Sequence, residues 1–132
     1  MIGNDVVDLR EPGRLGVDRH PRFDRRVFSE AERETLRASG APERLRWILW
    51  AAKEAAYKVE RKRDPETVFS PPRFEVELDA TLRGRVRHEG RTLELLVDEN
   101  EERVHALVSE ADPEEGVVSR VVRTEEEPAT QG

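Results

Sequence analysis

Between Pro42 and Arg63 apolar residues recur at steps of four and three: Leu45, Leu49, Ala52, Ala56 and Val59. That spacing lays a continuous stripe along one side of a helix, and Trp47 and Ile48 widen it. Pro42 suits a first helical turn, and "DPE" after Arg63 stops the pattern, so a helix is predicted over 42–63. Its other side carries Trp50, Glu54, Lys58 and Lys62, each four apart and therefore aligned. A shorter helix is predicted upstream. Ser29 as N-cap with Glu32 three residues on makes a capping box, and "SGAP" breaks the helix after about Ala38.

Elsewhere the period falls to two. Residues 2–9 favour a pleated strand through Ile2, Val6, Val7 and Leu9. Residues 10–22, punctuated by Pro12, Gly13, Gly16 and Pro21, read as loop. "RFEVEL" (73–78) alternates, 81–87 and 91–97 flank a hairpin turn "HEG" at Gly90, and 103–109 is a further strand. Residues 117–123 are expected to add a last strand, and "TEEEPATQG" reads as disordered. No repeat interrupts the pattern. The expectation is an α+β fold, two helices packed on an antiparallel sheet, in a single domain over 1–123 with a disordered acidic tail over 124–132.

Composition narrows the chemistry. The absence of cysteine excludes disulfides, zinc–thiolate sites and thiol nucleophiles, and fits a reducing compartment. No apolar run is long enough to span a membrane, and "MIGNDVVDLR" has acids where a secretory leader would be basic and then greasy. A soluble cytoplasmic protein is expected. The net charge of −6 is unevenly spread: residues 98–132 hold eleven acids against three arginines, a net of −8, so 1–97 carry +2. Within 10–46 ten arginines stand against seven acids with no lysine, which suits a phosphate-bearing or acidic partner.

Several constellations are missing. The chain has no Gly-rich phosphate loop and no HExxH. His20, His88 and His105 are scattered singly and read as surface or edge residues. Aromatics are too few to stack nucleic-acid bases. Carboxylates and lysines remain. Asp5 and Asp8 sit in an apolar strand where Asp is disfavoured without a positive partner, whether Arg, Lys or a metal. Glu54 and Lys58 form a favourably ordered i,i+4 pair, which on an exposed helix stabilises by only a few tenths of a kcal/mol. An Asp on a strand and a Glu on a packed helix could converge on one Mg²⁺, with phosphates and water completing its shell, and a Lys one turn on could meet a phosphate.

Two stretches in that order carry a resemblance. "IGNDVVDL" resembles the first signature of 4'-phosphopantetheinyl transferases, a Gly-x-Asp run on a strand. "WAAKEAAYK" resembles their second, a Lys-Glu helix motif, and "RFDRRVFSEAER" is similar to the segment between. The likeness covers about residues 2–58 and is to the short, holo-acyl-carrier-protein-synthase-like members. It implies transfer of the phosphopantetheine arm of coenzyme A to a serine of an acyl- or peptidyl-carrier protein, with adenosine 3',5'-bisphosphate released. By the same resemblance Asp5 and Glu54 would bind Mg²⁺, with Asp8 a further ligand. Glu54 would help deprotonate the serine, Lys58 would contact the diphosphate and protonate the leaving phosphate, and Lys53 would also meet the coenzyme. A homo-oligomer, favouring a trimer, would be expected. Such partners present acidic helices, which Arg10, Arg14, Arg19, Arg22, Arg25 and Arg26 could meet. The chain departs from the family after Lys58, reading "VERKRDPETVFSPPRF" in place of a Gly-rich stretch, and it lacks a Ser-His pair in "VDENEERVHALVS". Both elements help hold coenzyme A in the family. A non-catalytic carrier-binding relative and a metal-dependent diphosphate hydrolase stay open as alternatives.

Overall fold

A computed structural model describes residues 1–11 and 21–110. Five strands, β1 (Ile2–Asp8), β2 (Glu75–Leu78), β3 (Arg83–His88), β4 (Arg91–Glu99) and β5 (Arg103–Glu110), form one antiparallel sheet in the order β1-β5-β4-β3-β2. Three helices, α1 (Pro21–Val27), α2 (Glu30–Ala38) and α3 (Pro42–Arg63), precede β2 in the chain. α3 lies chiefly over β1 and β5. The core is the layer between them, where Val7, Val86, Leu93, Leu95, Val97, Val104, Ala106 and Val108 meet Ala51, Ala52, Ala55, Ala56 and Val59. The alternation in β4, with Leu93, Leu95 and Val97 buried, is the expected two-residue period. The β3–β4 hairpin turns at Glu89 (φ 49°) and Gly90 (φ 82°), the paired positive φ values of a type I′ turn.

The α+β class stands, with a third helix. Pro21 and Arg22, expected in the loop, open α1. Pro21 suits a first helical position, and Phe23 and Val27, four apart, turn the same side inward. Seven residues are too few to print a helical period in the sequence. α1 is held by Arg46 of α3, whose guanidinium donates to both oxygens of Asp24 at 2.8 and 2.9 Å. The predicted capping box of α2 is present: Ser29 Oγ accepts from Glu32 N at 3.2 Å, and Glu32 accepts from Ser29 N at 2.9 Å. The expected strand 117–123, the tail 124–132 and most of the loop 10–22 lie outside the described residues. Among those described, no helix is long and apolar enough to cross a membrane.

Two buried polar groups tie the layers. Glu32 also accepts from Val76 N (2.7 Å), and it pairs with Lys53 at 2.8 Å. Lys53 Nζ further donates to the carbonyls of Pro71 (2.9 Å) and Phe74 (2.6 Å) around a 3-10 turn at Pro71–Arg73, so one ammonium joins α2, α3 and the approach to β2. At the other end Glu60 accepts from His88 Nδ1 and Arg91 Nε, both at 2.8 Å. Burial works to raise the Glu60 pKa, but those bonds and the charges of Arg91 and Arg63 outweigh it and hold it below its ordinary value. His88 is therefore not a surface residue: it is buried and stacks on Phe74 with ring centroids 4.0 Å apart. Its place on the inward side of β3, rather than in the turn, accounts for the difference.

Lys53→Met would strip the cation from a buried carboxylate. A loss of about 3–5 kcal/mol is expected, read in thermal melts as a fall of roughly 10 °C or more. A fall under about 2 °C would show that the pair does not hold the layers together.

Candidate active site

The site is set by how closely β1 approaches α3. Gly3 faces the helix, and a Cβ there would run into the Ala55 carbonyl oxygen and stand 2.9 Å from Val59 Cγ2. Only glycine allows this strand–helix separation. Asp5 lies two residues on, on the same face of the pleat, opposite Ala106 of β5. Its carboxylate therefore points toward the helix, beside Glu54 and Lys58.

Lys58 closes the arrangement. Its Nζ donates to the Asn4 carbonyl at 2.9 Å and lies 3.4 Å from Asp5 Oδ1. Glu54 sits one turn earlier on α3. Partial burial pushes its pKa up, the negative charge of Asp5 adds to that, and Lys58 opposes it. The charges of Asp5 and Lys58 thus both act on Glu54, and Lys58 is the cation paired with Asp5. One turn before Glu54, Trp50 packs on Phe23 (ring centroids 5.6 Å) and Phe69 (5.8 Å). The Trp on this side of the helix thus borders the site with an apolar wall made by α1 and the segment before β2.

Asp5, Glu54 and Lys58 are brought together; two other expected site residues are not. Asp8 is three residues from Asp5, so the pleat turns it to the opposite face. It pairs there with Arg10, which donates from its backbone N at 2.9 Å and Nε at 3.1 Å and holds the carboxyl below its usual pKa. Lys53 is fully buried on Glu32 and two carbonyls, with no surface to offer a coenzyme. Adjacent motif letters in "KE" lie about 100° apart on a helix, so Glu54 reaches the edge of α3 while Lys53 faces the interior.

Beyond Lys58 the strand and helix diverge around a cavity of about 440 Å³ lined by Gly3, Asn4, Lys58, Arg61, Lys62 and Pro65. Lys62 lies on the predicted polar row, whereas Arg61 falls outside it. The three-residue step from Lys58 to Arg61 was the available signal. Among the described residues no group of three or more His, Asp or Glu side chains gathers to hold a metal. Two carboxylates leave most of a coordination shell to water and phosphate, the donor set that suits Mg²⁺.

A family model described as 4'-phosphopantetheinyl transferase superfamily matches residues 1–115. Among solved structures the chain is similar to an apo-ACPS from Chronobacterium ammoiniagenes, with a TM-score of 0.58 and 21% identity over 82% of this chain and 93% of that one. At that identity the likeness bears on the fold. No curated protein matches the sequence.

The Glu54 carboxyl has its pKa raised in the fold. Without metal, its contribution to stability is therefore greatest at acid pH and is lost as pH rises through the folded pKa. Glu54→Gln escapes this ionisation. In metal-free thermal melts the variant should match the parent near pH 4 and gain on it by a few degrees at pH 7. A variant less stable than the parent at pH 7 would contradict the raised pKa.

Proposed function

The chain belongs to the 4'-phosphopantetheinyl transferase superfamily, and from that premise we propose that it moves the phosphopantetheine arm of coenzyme A to a serine of an acyl- or peptidyl-carrier protein, as a cytoplasmic, Mg²⁺-dependent enzyme of the holo-[acyl-carrier-protein] synthase type. The observation that carries this reading is the meeting of Asp5, Glu54 and Lys58 at the β1–α3 contact.

Asp5 and Glu54 would hold Mg²⁺, which when bound offsets charge on the coenzyme diphosphate. In the transfer, the serine Oγ bonds to the phosphorus that bears pantetheine, and the bond from that phosphorus to the bridging oxygen breaks. Glu54 accepts the serine proton, directly or through a water. Lys58 is held against Asn4 and Asp5 but has a third ammonium N–H to donate. It would lie against the diphosphate and give a proton to the departing phosphate of adenosine 3',5'-bisphosphate.

The carrier is acidic, and Arg22, Arg25 and Arg26 are exposed on α1, near the Trp50 end of the site. They offer it a docking surface whose charges set association rate and salt sensitivity. Arg10 stands apart on Asp8, and Arg14 and Arg19 lie outside the described residues. On the open face of the sheet, exposed Ile2, Val6 and Leu96 suit association into a homo-oligomer, a trimer being favoured.

The test is incubation with coenzyme A, Mg²⁺ and a panel of apo carrier proteins, read by mass spectrometry. One carrier should gain the mass of a phosphopantetheine arm. Asp5→Ala and Glu54→Gln should lower the rate by about a hundredfold or more with the fold intact. Wild-type rates in both variants would overturn the assignment. Hydrolysis of coenzyme A without a carrier would favour a diphosphate hydrolase, and carrier binding with neither coenzyme binding nor mass gain a non-catalytic module.

A further inference from the structure

Among the described residues β1 is an edge strand, paired with β5 alone. Its odd-numbered residues bond to β5: the Met1 carbonyl accepts from Glu110 N at 3.3 Å, and Leu9 N donates to the Glu102 carbonyl at 2.7 Å. In an antiparallel ladder the residues between such pairs turn their N–H and C=O away from the partner strand. On β1 those residues are Ile2, Asn4, Val6 and Asp8. The outward carbonyl of Ile2 is taken by Lys62 at 2.6 Å, that of Asn4 by Lys58 at 2.9 Å, and that of Asp8 by Glu11 N at 3.3 Å. Val6 is the exception: among the described residues neither its N–H nor its C=O has a partner. Water can satisfy an exposed backbone group. That accounts for an open Val6 but not for the gap falling beside the candidate site, one strand repeat past the carbonyl that holds Lys58.

Unpaired strand edges bind extended ligands that carry amides, because main-chain hydrogen bonds supply the affinity. The pantetheine arm is such a ligand. A short branched linker leads from its phosphate to a first amide, and an ethylene unit separates that amide from a second. We propose that the open edge of β1 at Val6 binds the pantetheine arm of coenzyme A as a short added strand, with Val6 N–H donating to the first amide carbonyl and the Val6 carbonyl accepting from the second amide N–H. The identity of the ligand rests on the transferase reading. With the diphosphate against Lys58, the arm sets out from Asn4 toward Asp8. Its amides run from carbonyl to nitrogen in the direction of the strand, which makes the pairing parallel, with slanted bonds. The step from Asn4 to Val6 is about 6.6 Å, a length the extended linker spans. The Val6 side chain lies on the open face of the sheet, clear of the edge. Backbone groups fixed in a sheet would hold the arm in line, so that the phosphorus attached to it meets Glu54 and Lys58 in one orientation.

The experiment compares coenzyme A with adenosine 3'-phosphate 5'-diphosphate, the same nucleotide without the arm, both in the presence of Mg²⁺. Amide hydrogen exchange at Val6 is followed by NMR on the labelled parent chain, and affinities are measured by calorimetry on the parent and on Val6→Pro. Proline removes the outward N–H at a position where an edge strand tolerates it. Coenzyme A should slow exchange at Val6 by at least tenfold, and the armless nucleotide should change it less than twofold. Val6→Pro should weaken coenzyme A by about threefold to tenfold, the worth of one neutral hydrogen bond, and the armless nucleotide by less than twofold. The exchange measurement needs no variant and covers the case in which Val6→Pro unfolds. Unchanged exchange with coenzyme A, equal protection by both ligands, or equal weakening of both by Val6→Pro would overturn the inference. Protection specific to coenzyme A without transfer to any carrier would count against the transferase reading alone, and a parent that binds neither ligand would sink both.

Discussion

Everything at the candidate site depends on one close contact, the passage of β1 over α3 at Gly3. Its missing Cβ lets the strand backbone come down onto the Ala55 carbonyl. The small residues Ala51, Ala52, Ala55 and Ala56 continue the same strategy along the helix, each buried. Because the pleat has a period of two, the separation fixed at Gly3 is inherited by Asp5 and then by Val7, which closes the core. An acid is thereby carried to the side of a helix that presents Glu54 and Lys58. The arrangement is a consequence of backbone packing more than of side-chain reach, which gives it the rigidity that the proposed metal site would require.

Such a contact holds only if α3 cannot shift, and buried polar groups pin it at its middle and in its last turns. Lys53 and Glu32 fasten its middle to α2 and to the turn before β2. Glu60, His88 and Arg91 fasten its last turns to β3 and β4, and Arg91 reaches on to Glu110. Desolvation disfavours the ionised form of both Lys53 and Glu60, and in each case opposite charges or hydrogen bonds counter it. A hydrophobic face alone would let the helix slide or rotate. Directional bonds at these two levels set its register, so that Glu54 and Lys58 face β1.

Much of this was legible. The stripe from Leu45 to Val59 located α3 to its ends, the "HEG" turn located the hairpin, and three residues of the two signatures, Asp5, Glu54 and Lys58, lie along one strand–helix contact. What periodicity does not encode is which side chain finds which partner across the fold. Lys53 and Glu54 are neighbours in one motif, yet one became a core pin and the other a candidate site residue, since about 100° of helix separates interior from edge. Asp5 and Asp8 both needed a cation in an apolar strand, and each found one, Lys58 for the first and Arg10 for the second. His88 read as a turn residue because the ladder of β3 runs one residue further than its alternation suggested.

The central claim is that the β1–α3 separation, set at Gly3, brings together the carboxylates of Asp5 and Glu54 that we propose carry the reaction. Gly3→Ala tests it most directly, since it adds one methyl where none fits and leaves every charged group in place. The measurement is the rate of arm transfer from coenzyme A to an apo carrier, taken on variant protein whose circular dichroism matches the parent. The account predicts at least a tenfold loss, because Asp5 is lifted away from Glu54 and Lys58. A folded Gly3→Ala chain that transfers the arm at the parental rate would contradict it.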